Sequence, residues 1–227
     1  MGRARIKNID LIKWKQARIS LLQETIDLFE KYNIKYWVDS GSLLGLIRDG
    51  EIIDHDTDHD FCIKIENIDE NFIAMFDEIS KSSKYDGSVN DPLNRRYKKA
   101  FETKEIIPPT SFHKIQLSKR FVTQHNKILK LYSDVQILFP YDNFYFYRQN
   151  IFTWRYKKEH IENFTTICKY DRNIRVPEKS KEYLDIQYNY MWRTSMRFNA
   201  YKTNYWCNWR EGKETLKSYK YNLKINA

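Results

Sequence analysis

Proline, glycine and cysteine are all scarce in this chain, at 5, 6 and 3 of 227 residues. So few breakers argue against a loop-rich β-sandwich and against long flexible linkers. The cysteines, Cys62, Cys168 and Cys207, are odd in number and form no C-x-x-C. Neither a disulfide framework nor a zinc knuckle is suggested, and a reducing, cytoplasmic setting is expected. No apolar run nears the ~18 residues of a membrane-spanning helix, and the opening MGRARIKNIDLIKW holds no signal-like apolar core. Ile6 stands where an N-myristoylation signal needs Ser or Thr.

What is present is a folding composition: 41% apolar, 30% charged and 16% aromatic residues, well away from the disordered class. The formal charge of +9 draws phosphates, nucleotides, nucleic acid or an anionic membrane face without choosing among them. No repeat or low-complexity tract divides the chain. A single domain over 1–227 is expected, with a sheet-containing core about 10–145 and a largely helical C-terminal part about 146–227.

Residues 9–31 place Leu11, Trp14, Ile19, Leu22, Ile26 and Phe29 at helical spacing. A short strand at IKYWVDS follows, then a turn and short helix in GSLLGLIRDG. DHDFCIKI reads as a strand, and DENFIAMFDEISKS as a helix capped by Asp69. FHKIQLS and ILKLYSDVQILFP read as strands, the second stopped by Pro140. Residues 85–110 read as polar and turn-like, and a C-terminal helix is expected from about Glu178, after Pro177. The order gives an α+β fold, a small mixed β-sheet flanked by helices.

Chemistry concentrates in residues 39–65, DSGSLLGLIRDGEIIDHDTDHDFCIKI. Asp54, Asp56, Asp58 and Asp60 recur at every second position. If the segment is extended, Asp56, Asp58 and Asp60 share one face, with neighbours ~6.5–7 Å apart at Cα. Crowded carboxylates resist joint ionisation. A hard divalent cation removes that conflict, and an oxygen donor set suits Mg²⁺, Mn²⁺ or Ca²⁺. An EF-hand fails on spacing: counted from Asp54 its Gly and Glu positions hold His59 and Ile65, and from Asp56, Phe61 and Asn67. A helical zinc pair from His55 and His59 lacks the Glu of H-E-x-x-H and sits beside a strand. Upstream, Gly41-Ser42 follows a strand and opens a helix, where free backbone N–H groups can hold a phosphate, and Arg48 can add charge. Phosphate cradle and carboxylate row together suit metal-assisted phosphoryl transfer.

The stretch YWVDSGSLLGLIRDGEIIDHDTDHDFCI resembles the LicD/fukutin family of phosphotransferases, in the nucleotidyltransferase-fold superfamily. It carries that family's aromatic strand, G-[ST]-L-L-G turn (Gly41, Ser42, Leu43, Leu44, Gly45), Arg48, apolar pair Ile52 and Ile53, and D-x-D-x-D of Asp56, Asp58 and Asp60. LYSDVQILFPY offers Asp134 for a later strand Asp of the family, and VPEKSKEYLDIQYNYMW offers Val176, Pro177, Tyr183, Leu184, Tyr188 and Trp192 for a terminal segment. Two departures stand out. Asp54-His55 replaces the family's Pro-Trp, and YNYMW lacks the Gly and Asp of its Y-G-D-W.

The resemblance implies transfer of a phospho-alcohol (phosphocholine, glycerol phosphate or ribitol phosphate type) from a CDP-linked donor to a sugar or polysaccharide hydroxyl, releasing CMP. It implies Mg²⁺ or Mn²⁺ on Asp58, Asp60 and Asp134. Asp56 is a further ligand or orients one, and Asp134 completes the ligand set or accepts the hydroxyl proton. Gly41, Ser42 and Arg48 then bind the donor's diphosphate. An NTP-using nucleotidyltransferase releasing pyrophosphate is the alternative on the same fold. A basic nucleic-acid module ranks lower and no nucleic-acid partner is expected, since a carboxylate row repels a phosphate backbone. The positive charge agrees with peripheral contact to an anionic membrane surface. His55 and His59 point away from the Asp row in a regular strand and are read as structural. RRYKKAFETK (95–104) is a basic patch. The segment 191–213 interleaves Trp192, Tyr201, Tyr205, Trp206 and Trp209 with cations, suiting either core packing or ligand stacking.

Overall fold

The computed structural model describes residues 10–54, 56–82, 85, 114–123, 126, 128–149, 152–188, 190–193 and 206–207. Four helices are described: α1 (Leu11–Lys31), α2 (Ser40–Arg48), α3 (Glu70–Lys81) and α4 (Ser180–Tyr188). The strands are β1 (Tyr36–Asp39), β2 (Asp58–Lys64), β3 (Lys114–Val122), β4 (Ile128–Tyr141), β5 (Phe144–Gln149), β6 (Phe152–Lys157), β7 (Phe164–Lys169), β8 (Arg172–Pro177) and β9 (Trp206–Cys207). The expected α+β class is what the chain adopts.

Helix α1 starts where Asp10 accepts from the N–H groups of Ile12 (3.1 Å) and Lys13 (3.2 Å), satisfying two orphan donors. Asn33, at φ 52°, turns the chain out of it. Its buried stripe of Trp14, Arg18, Leu21, Leu22, Thr25, Ile26 and Phe29 follows the helical repeat, with one charged residue among the apolar ones. Asp69 caps α3 through Phe72 N–H at 3.1 Å.

The sheet is built around β4. β2 lies parallel to β4, β1 pairs antiparallel with β2, and β3 pairs antiparallel with β4 on its other side. Strands alternate, so register assigns faces. One face carries Tyr36, Val38, Phe61, Ile63, Ile115, Leu117, Val135 and Ile137, all buried beneath α1. Phe29 of α1 packs its ring 4.7 Å from Tyr36 and 5.3 Å from Phe61. The opposite face carries Asp39, Asp58, Asp60, Cys62, Gln116, Asp134 and Gln136.

Two expectations need correction. β4 does not stop at Pro140 but runs to Tyr141, pairing Pro140 with Tyr145 across a two-residue turn in which Asp142 has φ 48°. If the closing pair Tyr141–Phe144 is hydrogen-bonded, the next position is not, so the missing N–H costs no bond to β5. Residues 146–177, assigned from sequence to a largely helical part, are mostly strand. Among the described residues of that part, helix is confined to α4 and the 3₁₀ turns Lys158–His160 and Tyr190–Arg193. FYFYRQ and FTWRYK are rich in the aromatic residues that fit a pleated surface. β7 and β8 form a hairpin of their own, closed by Tyr170 (φ 54°) and Asp171 (φ 56°). Neither turn residue is Gly or Asn, which left the hairpin without its usual sequence signal. The helix expected near Glu178 is α4. Of the expectations above, His55 and the segments 86–113, 194–205 and 208–213, the last with Trp209, lie outside the described residues.

Gly45 lies where α2 meets the segment leading to β2. A Cβ there would sit 2.5 Å from Glu51 O and 3.0 Å from Ile53 N, backbone atoms that cannot rotate away. Gly45→Ala should cost about 1–3 kcal/mol, the usual range for overpacking, and lower the thermal midpoint. An unchanged midpoint would show that the segment 49–57 is not held against α2.

Candidate active site

Register brings three aspartates side by side: Asp39 of β1 faces Asp60 of β2, and Asp60 faces Asp134 of β4. Asp58 lies one face-repeat before Asp60 on the same strand. One carboxylate oxygen each from Asp58, Asp60 and Asp134 all lie within 4.8 Å of one another. Asp134 is 2% exposed, and Gln116 Nε2 donates to its Oδ1 at 2.7 Å. The trio can hold a metal ion. The donor set is entirely carboxylate, with no nitrogen or sulfur, which suits a hard cation.

The electrostatics call for positive charge. Burial pushes the Asp60 carboxyl well up, and the carboxylates of Asp58, Asp134, Asp56 and Asp39 push it further. Burial also raises Asp56, against the opposing pull of the Arg18 guanidinium. A cation within reach of these groups favours their ionised forms.

Asp56 precedes β2 and is not a strand residue; its Oδ1 accepts from Thr57 N–H at 3.0 Å. A Cβ on Gly41 would lie 2.5 Å from Asp56 Oδ2 and 3.5 Å from its Cγ. The close approach at Gly41 is therefore made by Asp56. Ser42, 3% exposed, accepts from Asp60 N–H through its Oγ at 3.1 Å, tying the first turn of α2 to the acidic strand. Arg48 donates to both carboxylate oxygens of Asp49, Nε to Oδ1 at 2.8 Å and Nη2 to Oδ2 at 2.6 Å. His59 points to the α1 face, its Nε2 2.8 Å from Arg18 O. Burial, with the Arg18 charge second, lowers its pKa to about 3, so the ring is neutral across physiological pH.

Sequence reasoning missed several residues that shape the site. Asp39 is fully buried. It accepts from Tyr183 O–H, from Tyr156 O–H at 3.2 Å, from Cys62 S–H at 3.4 Å and from Ser40 O–H at 3.2 Å. Ser40 itself has φ 49°, strained backbone next to the carboxylates. Gln187 of α4 donates to Ser40 Oγ at 3.3 Å. Tyr188 has its hydroxyl pushed well up by burial, then by Asp39, Asp60 and Asp56, which places it beside the same cluster. Arg18, 1% exposed, donates Nη1 to Ile53 O at 2.7 Å, holding the loop that delivers Asp56 and Asp58. Lys15 reaches Glu51 at 2.8 Å and Asp54 at 3.0 Å. The Tyr170 hydroxyl accepts from Ile52 N–H at 2.9 Å. The terminal aromatic segment contributes Trp192, buried and donating to Asp185 at 2.7 Å; for this residue packing is what the fold uses.

A small mixed sheet whose carboxylates gather beside the start of a helix is the organisation of a nucleotidyltransferase-type catalytic domain. Residues 33–179 match the family model described as LicD/FKTN/FKRP, nucleotidyltransferase domain, and the chain belongs to that family. Membership supports a transferase of the phosphotransferase type. Curated relatives include an uncharacterized protein of Rickettsia prowazekii (strain Madrid E), 35% identical over 72 residues, which are 31% of this chain and 27% of that protein. Another, an uncharacterized protein of Rickettsia typhi (strain ATCC VR-144 / Wilmington), is 47% identical over 47 residues, 21% of this chain and 15% of that protein. The match thus spans well under a third of either relative.

The raised pKa of Asp60 fixes a pH dependence. Without a cation, its contribution to stability is fully present below the ordinary carboxylate range and is lost as pH rises through its elevated folded value. A bound divalent ion stabilises the ionised form. Mn²⁺ should therefore raise the thermal midpoint at pH 7.5 and raise it progressively less toward pH 5. Asp134→Asn should remove most of the gain. A Mn²⁺ shift that grows as pH falls would contradict this.

Proposed function

We propose that the chain catalyses metal-dependent transfer of a phospho-alcohol from a CDP-linked donor to a sugar hydroxyl of a glycan. The acceptor oxygen forms a new bond to the phosphorus that carries the alcohol. The bond from that phosphorus to the bridging oxygen breaks, and CMP leaves with the electron pair. The observation that carries the reading is the convergence of Asp58, Asp60 and Asp134 oxygens within 4.8 Å, in a chain whose residues 33–179 belong to a phosphotransferase family.

Asp58, Asp60 and Asp134 are the proposed holders of a Mg²⁺ or Mn²⁺ ion. When bound, such an ion neutralises charge on the donor's diphosphate oxygens. The chain's own residues do the rest. Gln116 fixes Asp134 by occupying one of its oxygens. Asp56 stands against Gly41, just before the strand of Asp58 and Asp60, and is the proposed acceptor of the attacking hydroxyl's proton. Gly41, Ser42 and Arg48 are the proposed diphosphate contacts. In that role the Arg48 guanidinium, its side chain 8% exposed, turns from Asp49 to a phosphate oxygen. The donor's alcohol and the acceptor are matters for assay, and a cytoplasmic location with peripheral contact to an anionic membrane face belongs to the same proposal. No helix among the described residues is long and apolar enough to cross a membrane.

The test is to incubate the protein with Mg²⁺, glycan acceptors and a panel of CDP-alcohols and NTPs, then identify the leaving group. CMP is expected; pyrophosphate would replace this reading with nucleotidyl transfer. Asp58→Asn should lower turnover by at least about 10²–10³-fold, the scale of removing one electrostatic stabiliser, with the far-UV circular dichroism unchanged. Retained turnover would refute Asp58 as a ligand.

A further inference from the structure

The carboxylates occupy one end of β2. Its other end carries the opposite charge. A cavity of about 320 Å³ opens there, between the edge strand β1, the end of β2 and the β7–β8 hairpin; Lys35, Trp37, Lys64, Phe164 and Arg175 are among the residues that line it. Lys64 is four residues beyond Asp60, about 13 Å along an extended strand, so the cavity is separate from the acidic cluster.

Lys64 and Arg175 of the cavity wall share the Phe164 ring, and behind the wall Lys64 also shares the Tyr145 ring with Lys158. Lys64 Nζ lies 5.0 Å from the Tyr145 ring centre and 5.8 Å from that of Phe164. The Arg175 guanidinium lies 4.5 Å from the Phe164 centre, and Lys158 Nζ 5.8 Å from the Tyr145 centre. Cation–ring contacts of this kind are weakly attractive. They do not cancel the repulsion among like charges drawn together. Among the described residues no carboxylate forms an ion pair with Lys64 or Arg175. Of the two acids nearby, Glu66 already accepts from Tyr145 O–H, and Glu162 is exposed at the rim. Burial lowers the Lys64 pKa against the pull of the Glu66 and Glu162 carboxylates, and Arg175 and Lys158 lower it further.

The cavity wall adds unused donors. Tyr36 and Trp37 are each 1% exposed. Trp37 Nε1–H and Arg175 Nε–H are buried with no hydrogen-bond partner, while Tyr36, on the α1 face, has its hydroxyl against the Arg175 backbone. Buried polar groups without partners are uncommon and call for an explanation. Clustered cations with spare donors match an anion of several oxygens and more than one charge, and the volume suits a phosphate with a small group attached.

We infer that this cavity is a second anion site, which takes a phosphate or phosphate monoester between Lys64 and Arg175, apart from the carboxylate cluster. The site does not depend on the proposed transfer reaction, and it can be tested without it. Titration calorimetry on the whole chain in EDTA, with inorganic phosphate and pyrophosphate as probes, should give saturable binding. Lys64→Met should weaken it at least tenfold, and Asp58→Asn should leave it unchanged. Glu162→Gln, a change at an exposed rim position that does not threaten the fold, should tighten it. Absence of saturable binding, equal affinity in Lys64→Met, or no gain in Glu162→Gln would overturn the inference. Loss of binding in Asp58→Asn would do the same, by placing the anion at the acidic end. If Lys64→Met does not fold, the Glu162→Gln comparison decides.

Discussion

Mutual repulsion among buried carboxylates is the constraint on which the rest of the molecule turns. Asp39, Asp60 and Asp134 occupy matched positions on three neighbouring strands, with Asp58 and Asp56 just before them. A sheet face of this kind is unfavourable on its own, because burial and like charge both oppose ionisation. Much of the surrounding fold reads as a means of holding the acids there. The apolar face of the same strands is packed under α1, which fixes the strands whatever happens on the acidic side. Donors from several elements then meet the carboxylates individually: Gln116 from β3, Tyr156 from β6 and Tyr183 from α4.

The loop between α2 and β2 receives comparable support. Arg18 and Lys15 reach it from α1, and Tyr170 reaches it from the tip of the β7–β8 hairpin. Tyr170 does so from a left-handed backbone conformation, while its carbonyl accepts from Gln23 of α1 at 2.7 Å. A bulky residue at positive φ persists only where its surroundings determine it. The hairpin, far along the sequence, thus helps set the position of Asp56 and Asp58. Charge is also segregated along β2, acids at one end and Lys64 with its neighbouring cations at the other, so a single strand presents two chemically opposite ends.

The acidic row was legible because period-two spacing survives in the sequence and because the glycine–serine turn stands close upstream. Asp134 became visible through resemblance to a family, and the structure gives the physical reason: it is the parallel partner of Asp60. Asp39 was not legible, since a lone acid ending a four-residue strand looks like the start of a loop; only the tyrosines that converge on it reveal it. Arg18 could have been found, because it falls on the Trp14–Leu21–Leu22–Thr25 stripe of α1, where a charged residue has to find a partner inside. The β7–β8 hairpin was hidden by a Tyr170–Asp171 turn that departs from the usual residues, and the run through Pro140 by the proline itself.

The central claim is that Asp58, Asp60 and Asp134 form one cation site. The most direct measurement is anomalous diffraction from a crystal of the protein grown with Mn²⁺. The account predicts a strong peak bounded by oxygens of these three side chains, with Asp56 beside it. An ion bound elsewhere while the three carboxylates turn apart would contradict it.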